Sequence, residues 1–285
     1  MNPTAILLVF FLSSAISVAA YESGCGTTPI APFGVASGIV GGQTARPFSW
    51  PWQVYLLLMM PNGRGFACGG SIISPRWILT AAHCLDEELD FDRTEVRAAV
   101  YDLNKDEGVK MKMQSYRIHS EYDAKHKSND IGLIELDGSL SFNDKIQPVC
   151  IPAYKSDEQE TKADAKVIAT GWGATTEGGT TSDQLKQTSL FITEASECNY
   201  EKFDPEKEFC AIGPNQNMDA DTRTDTCQGD SGGPVVRKAD GEPFIQYGLV
   251  SGGSGCAQAG MPGVYTRLSN YCDWIEWQTG EDLCA

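Results

Sequence analysis

Trp52-Gln-Val-Tyr-Leu-Leu-Leu58 is a short, mostly apolar run that ends against Pro61-Asn-Gly63. The same unit recurs downstream. Ser71 to Leu79, Ile131 to Leu136 and Lys166 to Thr170 are again short apolar or alternating runs, separated by Gly, Pro, Asn and Asp. Runs of this length between turn residues have the signature of strands, and their repetition from Ile39 onward predicts an all-β sandwich or barrel. One segment breaks the pattern. Across Asn270 to Gln278, the residues Tyr271, Trp274, Ile275 and Trp277 form an apolar stripe at roughly helical spacing, stopped by Gly280. This predicts a C-terminal helix whose aromatic residues pack on the barrel as core contacts.

The chain has 285 residues, of which 41% are hydrophobic and 21% charged. The length leaves one large β domain or an α/β domain open, and the composition fits a globular protein with a substantial core. A net charge of −16 excludes nucleic acid as a partner, because phosphate neutralisation needs a basic face. At low ionic strength the same charge draws cationic substrates weakly toward the surface.

Ala5 to Ala20 is an apolar run ending in the small residues Val18-Ala19-Ala20, the pattern of a signal peptide. The expectation is a signal over residues 1–20, a secreted, extracellular product and no membrane anchor, since the run falls short of the ~20 residues a bilayer needs. Tyr21 to Gly38 contains Pro29, Pro32 and four glycines with no strand or helix period, and reads as an extended tail. Ten cysteines behind a signal point to five disulfides. A zinc site is not expected. The chain has no Cys-x-x-Cys pair, and its three histidines, His83, His119 and His126, are scattered.

Ser231 lies in Asp225-Thr-Cys-Gln-Gly-Asp-Ser-Gly-Gly-Pro234, flanked by glycines that let a backbone approach a substrate closely. A serine is a poor nucleophile alone. It needs a base, and the base needs a third group to fix its tautomer. His83 in Thr80-Ala-Ala-His-Cys84 follows the apolar run Trp77-Ile-Leu79 and stands beside a cysteine able to fix its loop. His119 and His126 fall in the polar stretch Tyr116 to Ser128 and read as solvated surface histidines. Asp130 opens the apolar segment Ile131 to Leu136. A carboxylate there is costly to bury unless a partner meets it, and an imidazole N–H is a suitable one.

With these segments stand Ile39-Val-Gly-Gly42, Trp50-Pro-Trp-Gln-Val54, Cys68-Gly-Gly-Ser71, Thr170-Gly-Trp-Gly173 and Pro262-Gly-Val-Tyr265. From Cys25 to about Ile275 the ordered set resembles the chymotrypsin and trypsin family of serine proteases. The resemblance implies two six-stranded antiparallel β-barrels with a C-terminal helix and an active site in the cleft between the barrels. It makes residues 39–285 a catalytic domain in which Ser231 attacks the scissile carbonyl, His83 is base and then acid, and Asp130 orients the imidazole. The N–H groups of Gly229 and Ser231 would form the oxyanion hole. No cofactor or metal is implied: Val100 stands where the family's calcium loop offers an acidic ligand, and Pro262 matches members without sodium-dependent activation.

The resemblance further implies a zymogen. Cleavage before Ile39 would free an ammonium to pair with Asp230, ordering the site. Gly38, not Arg or Lys, precedes that cut, so the expected activator is a protease that accepts a small residue. Cys25-Gly-Thr-Thr-Pro29 resembles the tethered propeptide of chymotrypsinogen, with residues 21–38 held through Cys25 to Cys150. The other implied pairs are Cys68 with Cys84, Cys198 with Cys210 and Cys227 with Cys256. Cys272 and Cys284 remain, outside the family's common set, and would tie the last helix to the tail. Another bridge usual in the family is missing at both ends, where Val167 and Arg237 stand.

Asp225 occupies the position of the acid at the base of a trypsin-like specificity pocket. Gly253 and Gly263 match its small walls and Ser251 its substrate-binding edge, which implies cleavage of protein or peptide substrates after Arg or Lys. Gly252 replaces the family's usual tryptophan, and the loop from Cys210 to Asp225 is longer than in trypsin. Within it, Arg223 is either an autolysis site or a cation able to blunt the charge of Asp225. Protein protease inhibitors are further expected partners. Two alternatives stay open: a protease of the same fold with chymotrypsin-like or elastase-like preference, and a catalytically silent binding homologue.

Overall fold

The computed structural model describes residues 24–34, 42–156, 160–175, 177–217, 220–223, 225–256, 258 and 260–284. After a short strand, β1 (Gln43–Thr44), the first half of the chain forms β2 (Gln53–Met59), β3 (Gly65–Ile72), β4 (Trp77–Thr80) and β5 (Glu95–Ala98). It continues with β6 (Val109–Met111), β7 (Met113–Ile118) and β8 (Gly132–Leu136). The second half forms β9 (Lys166–Gly171), β10 (Lys186–Ile192), β11 (Glu208–Ile212), β12 (Asn215–Asn217) and β13 (Ala220–Arg223). The last strands are β14 (Pro234–Lys238), β15 (Phe244–Gly252) and β16 (Gly263–Arg267), followed by α1 (Cys272–Thr279).

These strands make two antiparallel barrels. In the first, the hydrogen-bonded order is β6-β5-β2-β3-β4-β8-β7. Its two ends, β6 and β7, are consecutive pieces of one strand interrupted at Lys112, so six strand directions line this barrel. In the second, β10-β11-β16-β15-β14-β9 closes on itself through the β9 to β10 pairing, with β1 added outside on β10. The all-β, two-barrel architecture expected above is the observed one.

The period-two reading of Trp52 to Leu58 has a direct physical outcome. Val54, Leu56 and Leu58 are fully buried, while Tyr55 and Leu57 between them are half-buried, because successive strand residues face opposite sides. Each such aliphatic side chain contributes roughly 1.5–3 kcal/mol by leaving water. β8 is different: Leu133 and Ile134 are both fully buried, which explains its nearly continuous apolar run. The core of the second barrel gathers Val167, Ala169, Leu190, Phe209, Val235 and Tyr265.

A few polar contacts and one aromatic cluster lock the barrels together. Trp50, Trp52 and Phe244 pack edge-on or tilted in a triangle with ring centroids 5.2–5.9 Å apart. Thr170 Oγ1 donates to Gln53 Oε1 at 2.5 Å, and Trp172 Nε1 donates to Tyr101 O at 3.1 Å. Five disulfides join Cys25 to Cys150, Cys68 to Cys84, Cys198 to Cys210, Cys227 to Cys256 and Cys272 to Cys284. Residues 24–34 form no helix or strand. They are pinned by the Cys25 bond, by Gly26 N donating to Pro148 O at 2.8 Å and by Gln187 Nε2 donating to Phe33 O at 2.8 Å.

The C-terminal helix lies where the aromatic stripe places it and ends on Gly280 in the left-handed conformation. Tyr271 and Ile275 are buried, but Trp277 is 78% exposed. The expectation that it packs in the core is therefore corrected. Eight residues make just over two turns, and Trp277 falls beyond the stripe set by Tyr271 and Ile275. The long 210–225 loop contains a hairpin, β12 with β13. Among the described residues no helix is long and apolar enough to cross a membrane.

Candidate active site

His83 is placed by a strand that ends abruptly. All four residues of β4 are buried, and the chain then makes one 3-10 turn over Ala82–Cys84, pinned to β3 by the Cys68 bond. The His83 backbone N donates to Asp130 Oδ1 at 2.9 Å, and Nδ1 lies 2.7 Å from Asp130 Oδ2. Asp130 is fully buried. Ser251 Oγ also donates to Asp130 Oδ2 at 2.6 Å, and Thr266 Oγ1 donates to the Asp130 carbonyl at 2.9 Å. Three donors thus meet one buried carboxylate, which offsets its desolvation and fixes its plane. A carboxylate on Nδ1 holds the ring proton there and leaves Nε2 as the acceptor of a neutral imidazole.

Ser251, expected as a substrate-binding edge, has its hydroxyl on the Asp130 carboxylate. The sequence did not disclose that contact, because 121 residues separate the two.

Ser231 sits in a tight turn, with Asp230 N donating to Cys227 O at 3.0 Å and Gly233 N to Asp230 O at 2.8 Å. Gly69 N of the first barrel donates to Ser231 O at 2.7 Å, so the serine's main chain docks directly on the strand that carries Cys68. This approach requires glycine at 232. Its φ is +73°, and an added Cβ would stand 2.2 Å from Thr80 Oγ1. Among the described residues no hydrogen bond joins Ser231 Oγ to His83. The N–H groups of Gly229 and Ser231 donate to no protein acceptor among the described residues.

Asp225, Gly253 and Gly263 are brought together. Asp225 Oδ1 accepts from Thr226 N at 2.8 Å and from Tyr265 OH at 3.3 Å. A Cβ on Gly263 would lie 3.0 Å from that same oxygen, and one on Gly253 would lie 3.5 Å from Gly263 Cα. Tyr200 OH braces the neighbouring loop by donating to Pro262 O at 2.6 Å and accepting from Ser254 N at 3.2 Å. Nothing in the sequence distinguishes Tyr200 from a core tyrosine, and Tyr265 stands out there only as the end of Pro262-Gly-Val-Tyr265. The side chain of Arg223 lies outside the described residues.

Behind the serine turn is a cavity of about 300 Å³ whose lining includes Gly42, Gly171, Gly173, Asp225 and Asp230. Asp230 accepts from Gly173 N at 2.8 Å on Oδ1 and from Cys227 N at 3.0 Å on Oδ2. Burial, reinforced by the charge of Asp225, pushes its carboxyl up to about 6 against the opposing pull of those two N–H groups. Gly38 and Ile39 lie outside the described residues.

The other two histidines correct the reading of them as solvated. His119 packs against Tyr271 and Trp274, with ring centroids 5.5 and 5.4 Å away, and burial lowers its pKa. The side chain of His126 is 8% exposed, with Nδ1 2.8 Å from Asp123 Oδ2. That contact holds the Asp123 carboxyl down at about 2. The polar stretch gives no sign of this in sequence, because His119 meets Tyr271 and Trp274 only where its loop folds back on the C-terminal helix. Cys68, His83 and Cys84 cluster within metal-ligating distance, but both sulfurs are bonded to each other, leaving no thiolate to hold an ion.

The family model for Trypsin matches residues 39–275. The β subunit of clotting factor G from Tachypleus tridentatus is 35% identical over 281 residues, covering 93% of this chain and 85% of that protein. Ovochymase from Halocynthia roretzi is 36% identical over 263 residues, which is 89% of this chain but only 16% of that longer protein. The chain belongs to the trypsin family of serine proteases.

Proposed function

We propose that the protein is a secreted endopeptidase, made as a zymogen, that cleaves protein and peptide substrates after Arg or Lys through an acyl-enzyme. In this reading Ser231 is the nucleophile, His83 takes and returns the proton, and Asp130 stabilises the imidazolium. The observation that carries it is the buried Asp130 carboxylate, met at once by His83 Nδ1 (2.7 Å), His83 N (2.9 Å) and Ser251 Oγ (2.6 Å). A carboxylate this well ordered has its geometric use in holding one imidazole tautomer. Gly229 N and Ser231 N would receive the developing oxyanion, a stabilisation typically worth a factor of roughly 10²–10³ in rate per donor.

The Arg or Lys preference rests on Asp225 between Gly253 and Gly263. The extracellular setting rests on the apolar stretch over residues 1–20 together with five disulfides. The zymogen reading rests on the buried Asp230 carboxylate, which accepts from Gly173 N and Cys227 N and lines a cavity shared with Gly42. A cut after Gly38 by a protease that accepts small residues would deliver the Ile39 ammonium to it, while residues 21–38 stay attached through Cys25 and Cys150. Protein protease inhibitors would engage the same cleft. An aryl phosphonate bearing an Arg side chain should label cut protein and spare Ser231→Ala. Labelling of neither protein sinks the endopeptidase reading, and faster cleavage of Phe or Ala substrates than Arg ones sinks the pocket assignment.

A further inference from the structure

The loop between β7 and β8, which leads to Asp130, meets the loop between β10 and β11 of the second barrel at a histidine. The His126 ring has Nδ1 2.8 Å from Asp123 Oδ2 and Nε2 3.6 Å from Glu201 Oε1. Nε2 is buried and makes no hydrogen bond. Lys202, next to Glu201, brings its ammonium to 3.6 Å from Asp123 Oδ2. The barrels therefore face each other here through two carboxylates, one ammonium and one imidazole.

The protonation state of the ring decides what this contact can do. Asp123 stays ionised, its carboxyl held down at about 2 chiefly by the hydrogen bond with His126, so the ring must donate at Nδ1. A neutral imidazole with its proton on Nδ1 turns a lone pair at Nε2 toward the Glu201 carboxylate, acceptor against acceptor. The other tautomer sets a lone pair 2.8 Å from the Asp123 carboxylate. Only the imidazolium has an N–H for each partner, and histidine is the side chain suited to gain that second proton between about pH 5 and 8.

Behind Glu201 lie the walls around Asp225. Its neighbour Tyr200 donates to Pro262 O at 2.6 Å and accepts from Ser254 N at 3.2 Å, so one hydroxyl holds the chain beside both Gly263 and Gly253. Tyr200 N donates to Cys198 O at 2.9 Å, and the Cys198 disulfide ties this segment to Cys210 in β11. Restraint applied at Glu201 is thus passed to the walls through a short, tied stretch of chain.

We propose that His126 is a pH-dependent positioning residue: as an imidazolium it bridges Asp123 and Glu201, clamping the loop that leads to Asp130 onto the loop whose Tyr200 holds both walls. The clamp is complete at acid pH and is lost as pH rises through the imidazole titration, while Lys202 keeps its charge throughout. Because Glu201 is 75% exposed, the clamp is worth about two- to fivefold in the equilibria it biases. The consequence for ligands rests on the reading of Asp225 as the base of the pocket.

Two readouts test this in the parent protein, in Glu201→Gln, which alters only an exposed side chain, and in His126→Phe, which keeps a buried ring. The first is hydrogen exchange of the Ser254 amide in the uncut chain, expressed as protection relative to an unstructured peptide at the same pH. Protection in the parent should exceed that in either variant by about two- to fivefold at pH 5.5 and match it at pH 8. The second is the affinity of an aryl amidine for cut protein, where His83 titrates alike in parent and Glu201→Gln. The parent should bind about two- to fivefold more tightly at pH 5.5 and equally at pH 8. Protection that is the same in parent and Glu201→Gln at pH 5.5, or a difference that persists at pH 8, overturns the proposal. An amidine that binds no form would sink the Asp225 assignment instead, and the amide readout would still decide the clamp.

Discussion

Replacing Asp230 by Asn separates two effects that one carboxylate combines. In the uncut chain the Asp230 carboxyl is raised from 3.8 to about 6 by burial, so keeping it ionised costs the fold about 3 kcal/mol relative to the unfolded chain. The folded value lies above the unfolded one, so the folded state binds the extra proton. This contribution is complete below about pH 4 and lost as pH rises through about 6. Asparagine removes the titration but turns an NH₂ toward either Gly173 N or Cys227 N, leaving one N–H unpaired at a cost of about 1–2 kcal/mol. Uncut Asp230→Asn should therefore be less stable than the parent at pH 4 and more stable, by about 1–2 kcal/mol or roughly 3–6 °C in Tm, at pH 8. Thermal melts across this range should cross between pH 4 and 6. The cut form should behave in the opposite sense. With Gly38→Arg in both backgrounds so that trypsin can make the cut, the Asn variant should lose 10²-fold or more in kcat/KM, because a buried pair with one partner removed typically forfeits ~3–5 kcal/mol. A Tm difference that does not vary with pH, or a cut Asn variant of full activity, would refute the reasoning.

Three further outcomes are expected. Glu208 is nearly buried, and burial first, then the charges of Asp204 and Asp130, raise its carboxyl to about 7; as for Asp230, its stability contribution is lost as pH rises, here from about 4.5 to 7. Glu208→Gln should be more stable than the parent by up to about 3 kcal/mol at pH 8 and gain nothing at pH 4, read by urea unfolding. Ser251→Ala removes the 2.6 Å donor to Asp130 and should lower kcat/KM roughly 10- to 100-fold, with Thr at that position restoring part of the loss. Gly232→Ala drives a Cβ to 2.2 Å from Thr80 Oγ1 and 2.8 Å from Gly69 O at φ +73°. It should lower Tm by about 5–10 °C, and adding Thr80→Ala should not restore the parent value.

Much of the candidate site was legible because its parts are local. The turn at Ser231, the cysteine beside His83 and the apolar strand behind Asp130 each announce themselves within ten residues. His119 and His126 depart from the solvated reading for different reasons: His119 packs on Tyr271 and Trp274 from a distant part of the chain, while His126 pairs with Asp123 of its own loop. Trp277 failed at the end of a short helix, where the period is too brief to define a face.

Sequence alone determined the alternation of Val54, Leu56 and Leu58, the serine, histidine and aspartate available for a site and the cysteines available for bonding, because strand period, hydroxyl, imidazole and thiol are properties of the residues themselves. Tertiary structure decided what crosses between distant strands. It put Ser251 Oγ on Asp130 across 121 residues, Ser231 O on Gly69 across the two barrels and Glu201 beside His126. Each of those contacts depends on how the strands pair and the barrels close, and a one-residue slip in the strand Phe244–Gly252 would turn the Ser251 hydroxyl to the opposite face.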